Sequence, residues 1–142
     1  MGDLSKRFSR QEFACPCGCG FQTVDIELIN ELEKVADGFE TLSGCRVVVK
    51  INSGNRCAEY DHAMKIREGI PILEKPSQHI RGWAADLTME YRFLFGRREK
   101  IPDEIVADEL ELNNPTRFGI GRYSNWTHFD VRPSRARWGS NG

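Results

Sequence analysis

The sequence lacks any long apolar run. None of its 142 residues belongs to a stretch of about 18 consecutive apolar side chains, the length that a membrane-crossing helix needs. The first fifteen residues also lack the apolar core of a secretory signal. We therefore expect no membrane span, and we expect synthesis in a cytoplasm without a signal peptide.

The sequence also lacks an excess of charge of either sign. Twenty basic and 21 acidic residues leave a formal net charge of −1. Nucleic-acid-binding domains carry a basic patch or stripe, so this balance argues against a nucleic-acid partner. The C-terminal end is the local exception, because Arg132, Arg135 and Arg137 form either a solvated tail or a rim that faces an acidic polymer.

Internal repeats and low-complexity segments are absent as well. A chain of this length can bury a core by itself, so we expect a single domain over residues 1–142, present as a monomer. The first eleven residues are polar and predict a loose N-terminal arm.

Apolar periodicity predicts helices and strands that do not alternate as βαβ units. Helices are predicted where apolar residues recur every three to four positions, and strands where short β-branched or aromatic runs occur. The predicted helices are Thr23–Phe39, Ala58–Arg67 and Pro102–Leu112, and the predicted strands are Arg46–Asn52, Trp83–Met89, Arg117–Tyr123 and Trp126–Val131. The last two strands are predicted to form an antiparallel hairpin. The fold class is therefore α+β, with a small antiparallel sheet and flanking helices.

Cysteine is present in an odd number, with three of the five residues in the segment C-P-C-G-C-G. One residue separates neighbouring thiols there, whereas paired zinc ligands usually have two between them. Three interpretations stay open: a structural metal cluster, a disulfide from this segment to Cys57, and buried thiols. The cluster would combine Cys57 with residues from Cys15, Cys17 and Cys19.

Two histidines and one aspartate form the pattern most indicative of chemistry. His79 and Asp86 lie seven residues apart around Gly82, where the chain can bend sharply, and His128 lies in the last predicted strand. If the strands that carry Asp86 and His128 are adjacent, the three side chains can meet. Two imidazoles and a carboxylate are typical protein ligands of a catalytic zinc, which acidifies water and polarises a carbonyl.

The segment around these residues resembles a known family. S-Q-H-I-R-G-W-A-A-D, at Ser77–Asp86, resembles the Ser-x-His-x-x-Gly-x-Ala-x-Asp signature of zinc D-Ala-D-Ala carboxypeptidases and their phage endolysin relatives. These LAS-type peptidases share a zinc fold with the hedgehog signalling domain. W-T-H-F-D-V-R resembles their closing His motif, and S-G-N-R resembles their Ser-Gly-x-Arg segment. The resemblance covers residues 8–138, and the cysteine-rich opening is similar to a phage and prophage branch.

The resemblance implies roles for individual residues. By it, His79, Asp86 and His128 match the zinc ligands, Arg56 matches the catalytic-site arginine that binds a substrate carboxylate, and Ser77 matches a serine that orients the substrate. The implied reaction is hydrolysis of an amide bond in the peptide stems of peptidoglycan, at D-Ala-D-Ala or at L-Ala-D-Glu. One catalytic zinc is implied, and a second, structural metal at the cysteines stays open.

One departure from the family pattern concerns the general base. Family members place a Glu or His two or three residues before the last His ligand, where this chain has Trp126 and Asn125. Asp130 is the nearest carboxylate, and it serves either as the base or as the acceptor that orients His128. Trp126 borders the predicted site, where it can contact a glycan or a stem peptide.

Three hypotheses follow from the sequence. The first is a zinc peptidase of the cell wall, encoded by a phage or prophage, that reaches the wall after release or as part of a phage particle. The second is a catalytically weak or inactive zinc-containing module that binds peptidoglycan or belongs to a virion. The third, a nucleic-acid-binding cysteine cluster, conflicts with the near-neutral charge.

Overall fold

A computed structural model describes residues 2–20, 24–54, 63–67, 69 and 78–139. The helices are α1 (Ile26–Ser43) and α2 (Asp103–Asn113), and the strands are β1 (Arg46–Ser53), β2 (Ala84–Arg92), β3 (Arg98–Lys100), β4 (Gly119–Arg122), β5 (Thr127–Asp130) and β6 (Ala136–Gly139). Short 3-10 helices occur at Arg10–Phe13, Gln78–Arg81 and Leu94–Gly96, and residues 63–67 are helical. Within this described part of the chain, no helix is both long and apolar enough to span a membrane.

The first long helix begins where a carboxylate caps it. The side chain of Asp25 accepts a hydrogen bond from the backbone N–H of Glu27 at 2.8 Å, so α1 starts after Asp25 and not at the predicted Thr23. Thr23 itself lies outside the described residues. The helix also continues past its predicted end at Phe39. Its apolar face is buried in the core, at Leu28, Ile29, Leu32, Val35, Ala36 and Phe39.

A single six-stranded sheet lies beneath the helices. Its strand order is β1-β2-β5-β4-β6, and β3 pairs with the far end of β2. The β1–β2, β2–β5 and β4–β5 pairs are antiparallel, so the predicted hairpin is confirmed. The strands that carry Asp86 and His128 are neighbours, and these two residues are direct partners across the pair. The α+β class is therefore confirmed, and its register brings the predicted site residues together.

The sheet is mixed, whereas a purely antiparallel sheet was predicted. β5 ends at Asp130, which lies opposite the start of β4 at Gly119. After a short turn the chain enters β6 at Ala136, which pairs with Gly119 from the other side of β4. Because β6 starts at the same end as β4, the two strands run parallel.

The N-terminal segment is packed, and the prediction of a loose arm over residues 1–11 is wrong for its described part. Phe8 is fully buried in the core. Arg7, with its side chain only 7% exposed, forms ion pairs with Glu33, Asp37 and Glu40. The polar residues that suggested a solvated arm are instead partners of the outer face of α1.

The C-terminal arginines are paired, so a solvated tail was the wrong interpretation. Arg135 and Arg137 contact the carboxylate of Glu111 on α2 at 3.2 and 2.6 Å. Arg132 contacts Asp130 at 2.7 Å. These ion pairs attach β6 and the turn before it to the body of the domain.

Candidate metal centre

Three elements bring His79, Asp86 and His128 to one point, called here the histidine–aspartate centre. Asp86 lies on β2, directly opposite His128 on β5. His79 lies in the short 3-10 helix that precedes β2. One ligand atom from each of the three side chains lies within 4.8 Å of the other two. The residues predicted from the sequence to hold a metal are therefore gathered in the fold.

The spacing of the ligand atoms fits a small cation. Asp86 Oδ1 lies 2.8 Å from His128 Nδ1 and 3.5 Å from His79 Nε2. In a tetrahedral site with zinc–nitrogen distances of about 2.1 Å, neighbouring ligand atoms are about 3.4 Å apart. The donor set has the composition and the approximate size of a zinc site.

The ring of His79 is oriented by a backbone carbonyl. His79 Nδ1 lies 2.6 Å from the carbonyl oxygen of Gly54. A carbonyl can only accept a hydrogen bond, so Nδ1 carries the proton and donates it. Nε2 therefore presents its lone pair toward Asp86, as a metal ligand must. This role of Gly54 was not predicted from the sequence, because a function was assigned only to the arginine of the Ser-Gly-x-Arg segment.

His128 lies between two carboxylates. Its Nδ1 is 2.8 Å from Asp86 Oδ1, and its Nε2 is 2.7 Å from Asp130 Oδ2. A neutral imidazole has one N–H, so only one of these contacts can be an ordinary hydrogen bond from the ring. The other needs a second proton or a metal cation between nitrogen and oxygen. His128, Asp86 and His79 would hold such a cation, and His128 would then donate its Nε2–H to Asp130.

The electrostatics of this group are dominated by the carboxylates. Burial by itself lowers the pKa of His128, but hydrogen bonds to Asp130 and Asp86 raise it above its ordinary value. Burial by itself raises the pKa of Asp86, but hydrogen bonds from His128 and His79 hold that pKa well below its usual range. Asp86 is therefore ionised at neutral pH and attracts a cation.

Asp130 is completely buried and its two oxygens are engaged. Arg132 binds Oδ1 and Oδ2 with its guanidinium, each contact at 2.7 Å, and His128 contacts Oδ2. Although burial raises the pKa of Asp130, the contacts with His128 and Arg132 hold it well below its usual range. A carboxylate held in this way suits the orienting role better than that of a base that must collect a proton.

Arg132 contacts the site through Asp130, whereas from the sequence it was placed only among the basic residues of the C-terminal end. His128, Asp130 and Arg132 alternate along the chain, with one residue between each pair. Alternate residues of a strand share one face. If this alternation is extended beyond the end of β5, it places Arg132 on the same face as His128 and Asp130.

Aromatic side chains lie against one side of the centre. The ring centroid of Trp138 is 5.0 Å from that of His128, and the guanidinium carbon of Arg132 lies 5.1 Å from the Trp138 ring. Trp138 Nε1 donates to the hydroxyl of Tyr123 at 2.8 Å, and Tyr123 stacks on Trp126 at 4.7 Å. Trp126, the residue predicted to contact a substrate, is therefore the end of a row of three linked aromatic side chains, and it is half-buried.

The remaining predicted site residues fall into two groups. Arg56, Cys57 and Ser77 lie outside the described residues, and their roles stay predictions. His62 lies outside them as well. The sulfur atoms of Cys15, Cys17 and Cys19 come within 4.8 Å of one another and form a second group of possible metal ligands.

A family model described as peptidase M15 matches residues 6–130. The match spans most of the chain and includes all three residues of the histidine–aspartate centre. The chain belongs to the peptidase M15 family. The peptidases of this family are zinc-dependent, which confirms the resemblance to LAS-type zinc peptidases. No curated protein and no solved structure matches the chain.

Membership of the M15 family identifies the chain as a metallopeptidase of the zinc-dependent class. The matched region ends at Asp130, so Arg132 and Trp138 lie beyond it. These two residues nevertheless contact the centre, through Asp130 and through the ring of His128.

Proposed function

We propose that this M15 peptidase uses zinc at the histidine–aspartate centre to hydrolyse an amide bond in the stem peptides of peptidoglycan. One observation carries the proposal. Asp86 and His128 are direct partners in the sheet, and His79 completes a donor set of two imidazoles and one carboxylate. Such a set leaves a coordination position for substrate or water, which distinguishes catalytic zinc sites from closed structural ones.

Each residue of the centre has a defined task in this proposal. His79 Nε2, Asp86 Oδ1 and His128 Nδ1 would hold the cation, which supplies Lewis-acid polarisation of the scissile carbonyl when bound. Gly54 and Asp130 fix the two imidazole rings from behind. The rings are thereby held in the orientation needed for coordination before any metal arrives.

The substrate side of the proposal rests on the aromatic row and on the predicted arginine. Trp138 lies next to His128 and is linked through Tyr123 to Trp126, so the row offers flat apolar surface with polar edges that suits contact with a glycan or a stem peptide. Arg56 would bind a substrate carboxylate through its guanidinium fork. A terminal carboxylate is present in D-Ala-D-Ala stems, and D-Glu supplies one in the L-Ala-D-Glu case.

A second candidate function has specific support. Asn125 and Trp126 occupy the positions from which relatives supply a base, and Asp130 is fully buried between His128 and Arg132. Loss of a base lowers a rate by about 10²–10⁴. The second candidate is therefore a zinc-loaded protein that grips peptidoglycan and turns it over slowly or not at all.

Phage or prophage origin accompanies both candidates as a proposal. It rests on the cysteine-rich opening and on the segment A-R-W at Ala136–Trp138, which both resemble a phage branch of the family. Under this proposal the protein meets the wall after release from the cell or as part of a phage particle.

The experiment that tests the function measures zinc content and amide hydrolysis in the same preparation. Purified peptidoglycan is incubated with the full chain, and new amino groups and D-Ala are quantified. We expect hydrolysis by the zinc-loaded protein and none by His128→Ala. His62→Ala is the matched control, because His62 is the one histidine in the sequence that is not a predicted metal ligand.

The outcomes separate the two candidates. Hydrolysis that requires His128 but not His62 supports the peptidase. Zinc at full content with wall binding and no released amino groups, across several wall types, supports the binding module instead. Equal hydrolysis by wild type and His128→Ala would contradict both uses of the centre.

A further inference from the structure

Three cysteine thiols converge on a loop that the histidine–aspartate centre does not use. This cysteine loop, Cys15–Gly20, follows the buried Phe13. The sulfur atoms of Cys15 and Cys17 lie 3.4 Å apart, and Cys19 brings its sulfur within 4.8 Å of both. We propose that the three thiolates bind a second, thiophilic cation of the zinc class, in a structural site separate from the peptidase centre.

The sulfur separations within the loop favour a metal over a disulfide between two of its three cysteines. Thiolates bound to tetrahedral zinc lie about 2.3 Å from the ion, which places neighbouring sulfurs about 3.8 Å apart. A disulfide needs about 2.05 Å between two sulfurs and leaves the third thiol without a role. The described cysteines are all thiols in the structure. One ion could bind all three sulfurs, whereas a disulfide within the loop would use only two of them.

The local backbone keeps the thiols on one side of a tight turn. Gly18 donates its N–H to the carbonyl oxygen of Cys15 at 3.2 Å, and its φ of 83° is a conformation that glycine adopts without strain. Cys15 is 4% exposed, whereas Cys17 and Cys19 are open to solvent. An open cleft of about 450 Å³ borders the loop. An ion can thus reach the thiols while one of them is anchored in the protein.

The choice of cation follows from the donors. Thiolates are soft ligands, which select zinc or copper(I) over magnesium or calcium. A coordinated thiol is deprotonated outright, so each cysteine would release its proton as the ion binds. Among the described residues this group includes no carboxylate, the side-chain ligand that hard cations prefer.

The loop also has a physical connection to the histidine–aspartate centre, through Phe13 and Gly54. Gly54 packs so closely on Phe13 that a Cβ at Gly54 would lie 2.7 Å from the Phe13 Cα. The carbonyl oxygen of the same Gly54 accepts the hydrogen bond from His79 Nδ1. A cation that orders the cysteine loop would therefore help to hold the backbone that orients His79.

The proposal is tested by loading the full chain with Co²⁺ and measuring absorption in the near ultraviolet. Thiolate ligands give an intense sulfur-to-cobalt charge-transfer band, which imidazole and carboxylate ligands do not give. We expect the band in the wild type and in His79→Ala, because His79 is not a ligand of this site. We expect its loss in Cys19→Ser, with about one bound ion per chain fewer than in wild type.

Two further variants keep the result interpretable. Cys15→Ser should lose the band too. Because Cys15 is buried, its substitution could also affect folding, whereas Cys19 is exposed and its substitution tests the site without that effect. Cys45→Ser is the matched control, since Cys45 lies just before β1 and outside the cysteine group. No band in wild type after Co²⁺ addition, or a band that survives both Cys15→Ser and Cys19→Ser, would overturn the proposal.

Discussion

The two groups of candidate metal ligands differ in what holds them in place. The histidine–aspartate centre is set on paired strands, and both of its imidazoles have an acceptor on the far nitrogen. The cysteine loop is a single turn with one buried and two exposed thiols. Strand pairing and hydrogen bonds hold the first arrangement, whereas the second would gain order from the cation proposed above. The proposed catalytic site is thus preorganised, whereas the proposed structural site would be organised by its metal.

The largest expected effect is a difference in local opening after chelation. Removal of metal should raise hydrogen exchange of the amides in the cysteine loop by on the order of 100-fold, because the thiolates lose their shared ligand. Amides of β2 and β5 should keep their rates, since backbone pairing holds those strands. Exchange measured by mass spectrometry with and without chelator checks this. A uniform increase across both regions would remove the distinction.

Asp130→Asn tests the preorganisation of the histidine–aspartate centre. An amide accepts a weaker hydrogen bond from His128 Nε2 and loses the ion pair with Arg132, so zinc affinity should fall by about 10–100-fold. Hydrolysis should recover when zinc is in excess. Asp108→Asn is the control, because Asp108 is an exposed carboxylate that pairs with Arg122 away from the centre.

A different result would assign Asp130 another role. A rate that stays about 10²–10⁴-fold low at saturating zinc would make Asp130 the base. Unchanged zinc affinity and unchanged rate would show that the contact with His128 has no functional weight.

Gly54→Ala tests whether the two regions are independent. The added Cβ would overlap Phe13, and relief of that overlap shifts the carbonyl that orients His79. We expect roughly tenfold weaker zinc binding at the histidine–aspartate centre, comparable to the loss of an orienting contact. Gly38→Ala is the matched control, because nothing lies within 4 Å of a Cβ there. Equal zinc affinity in both variants would mean that Phe13 and His79 are not coupled.

The smallest effect concerns the anchor that precedes the cysteine loop. Lys6 and Arg7 lower the pKa of Asp37, and the backbone N–H of Val47 together with Arg7 lowers the pKa of Glu40. Carboxylates with lowered pKa values stabilise the fold above their ordinary pKa, and this contribution is lost as the pH falls through the lowered values. Acidification below about pH 4 should therefore loosen the N-terminal segment.

Glu40→Gln isolates this contribution. The variant should be less stable than wild type at pH 7 by less than about 1 kcal/mol, since the pair is partly solvated, and its stability should fall less steeply in acid. Thermal unfolding measured from pH 7 down to pH 3 compares the two proteins. Parallel pH profiles would show that Glu40 is not a source of the acid sensitivity.

The sequence identified the three residues that the fold gathers, because they lie in two short motifs that can be recognised without knowledge of the fold. The signature from Ser77 to Asp86 and the later His128 named the three ligand candidates, and pairing of two predicted strands was the one condition needed. Long-range features escaped it. The burial of Phe8, the parallel pairing of β6 and the contact of Gly54 with His79 depend on elements that are distant in the chain. Neither spacing nor propensity encodes such contacts.

Zinc-edge X-ray absorption on Cys19→Ser loaded with one equivalent of zinc tests the central claim most directly. The account predicts a first shell of nitrogen and oxygen atoms at about 2.0–2.2 Å, supplied by His79, Asp86 and His128, with no sulfur. The shell should disappear when Asp86→Ala is added. Sulfur at about 2.3 Å, or a protein that takes up no zinc, would contradict the assignment of the catalytic metal to this centre.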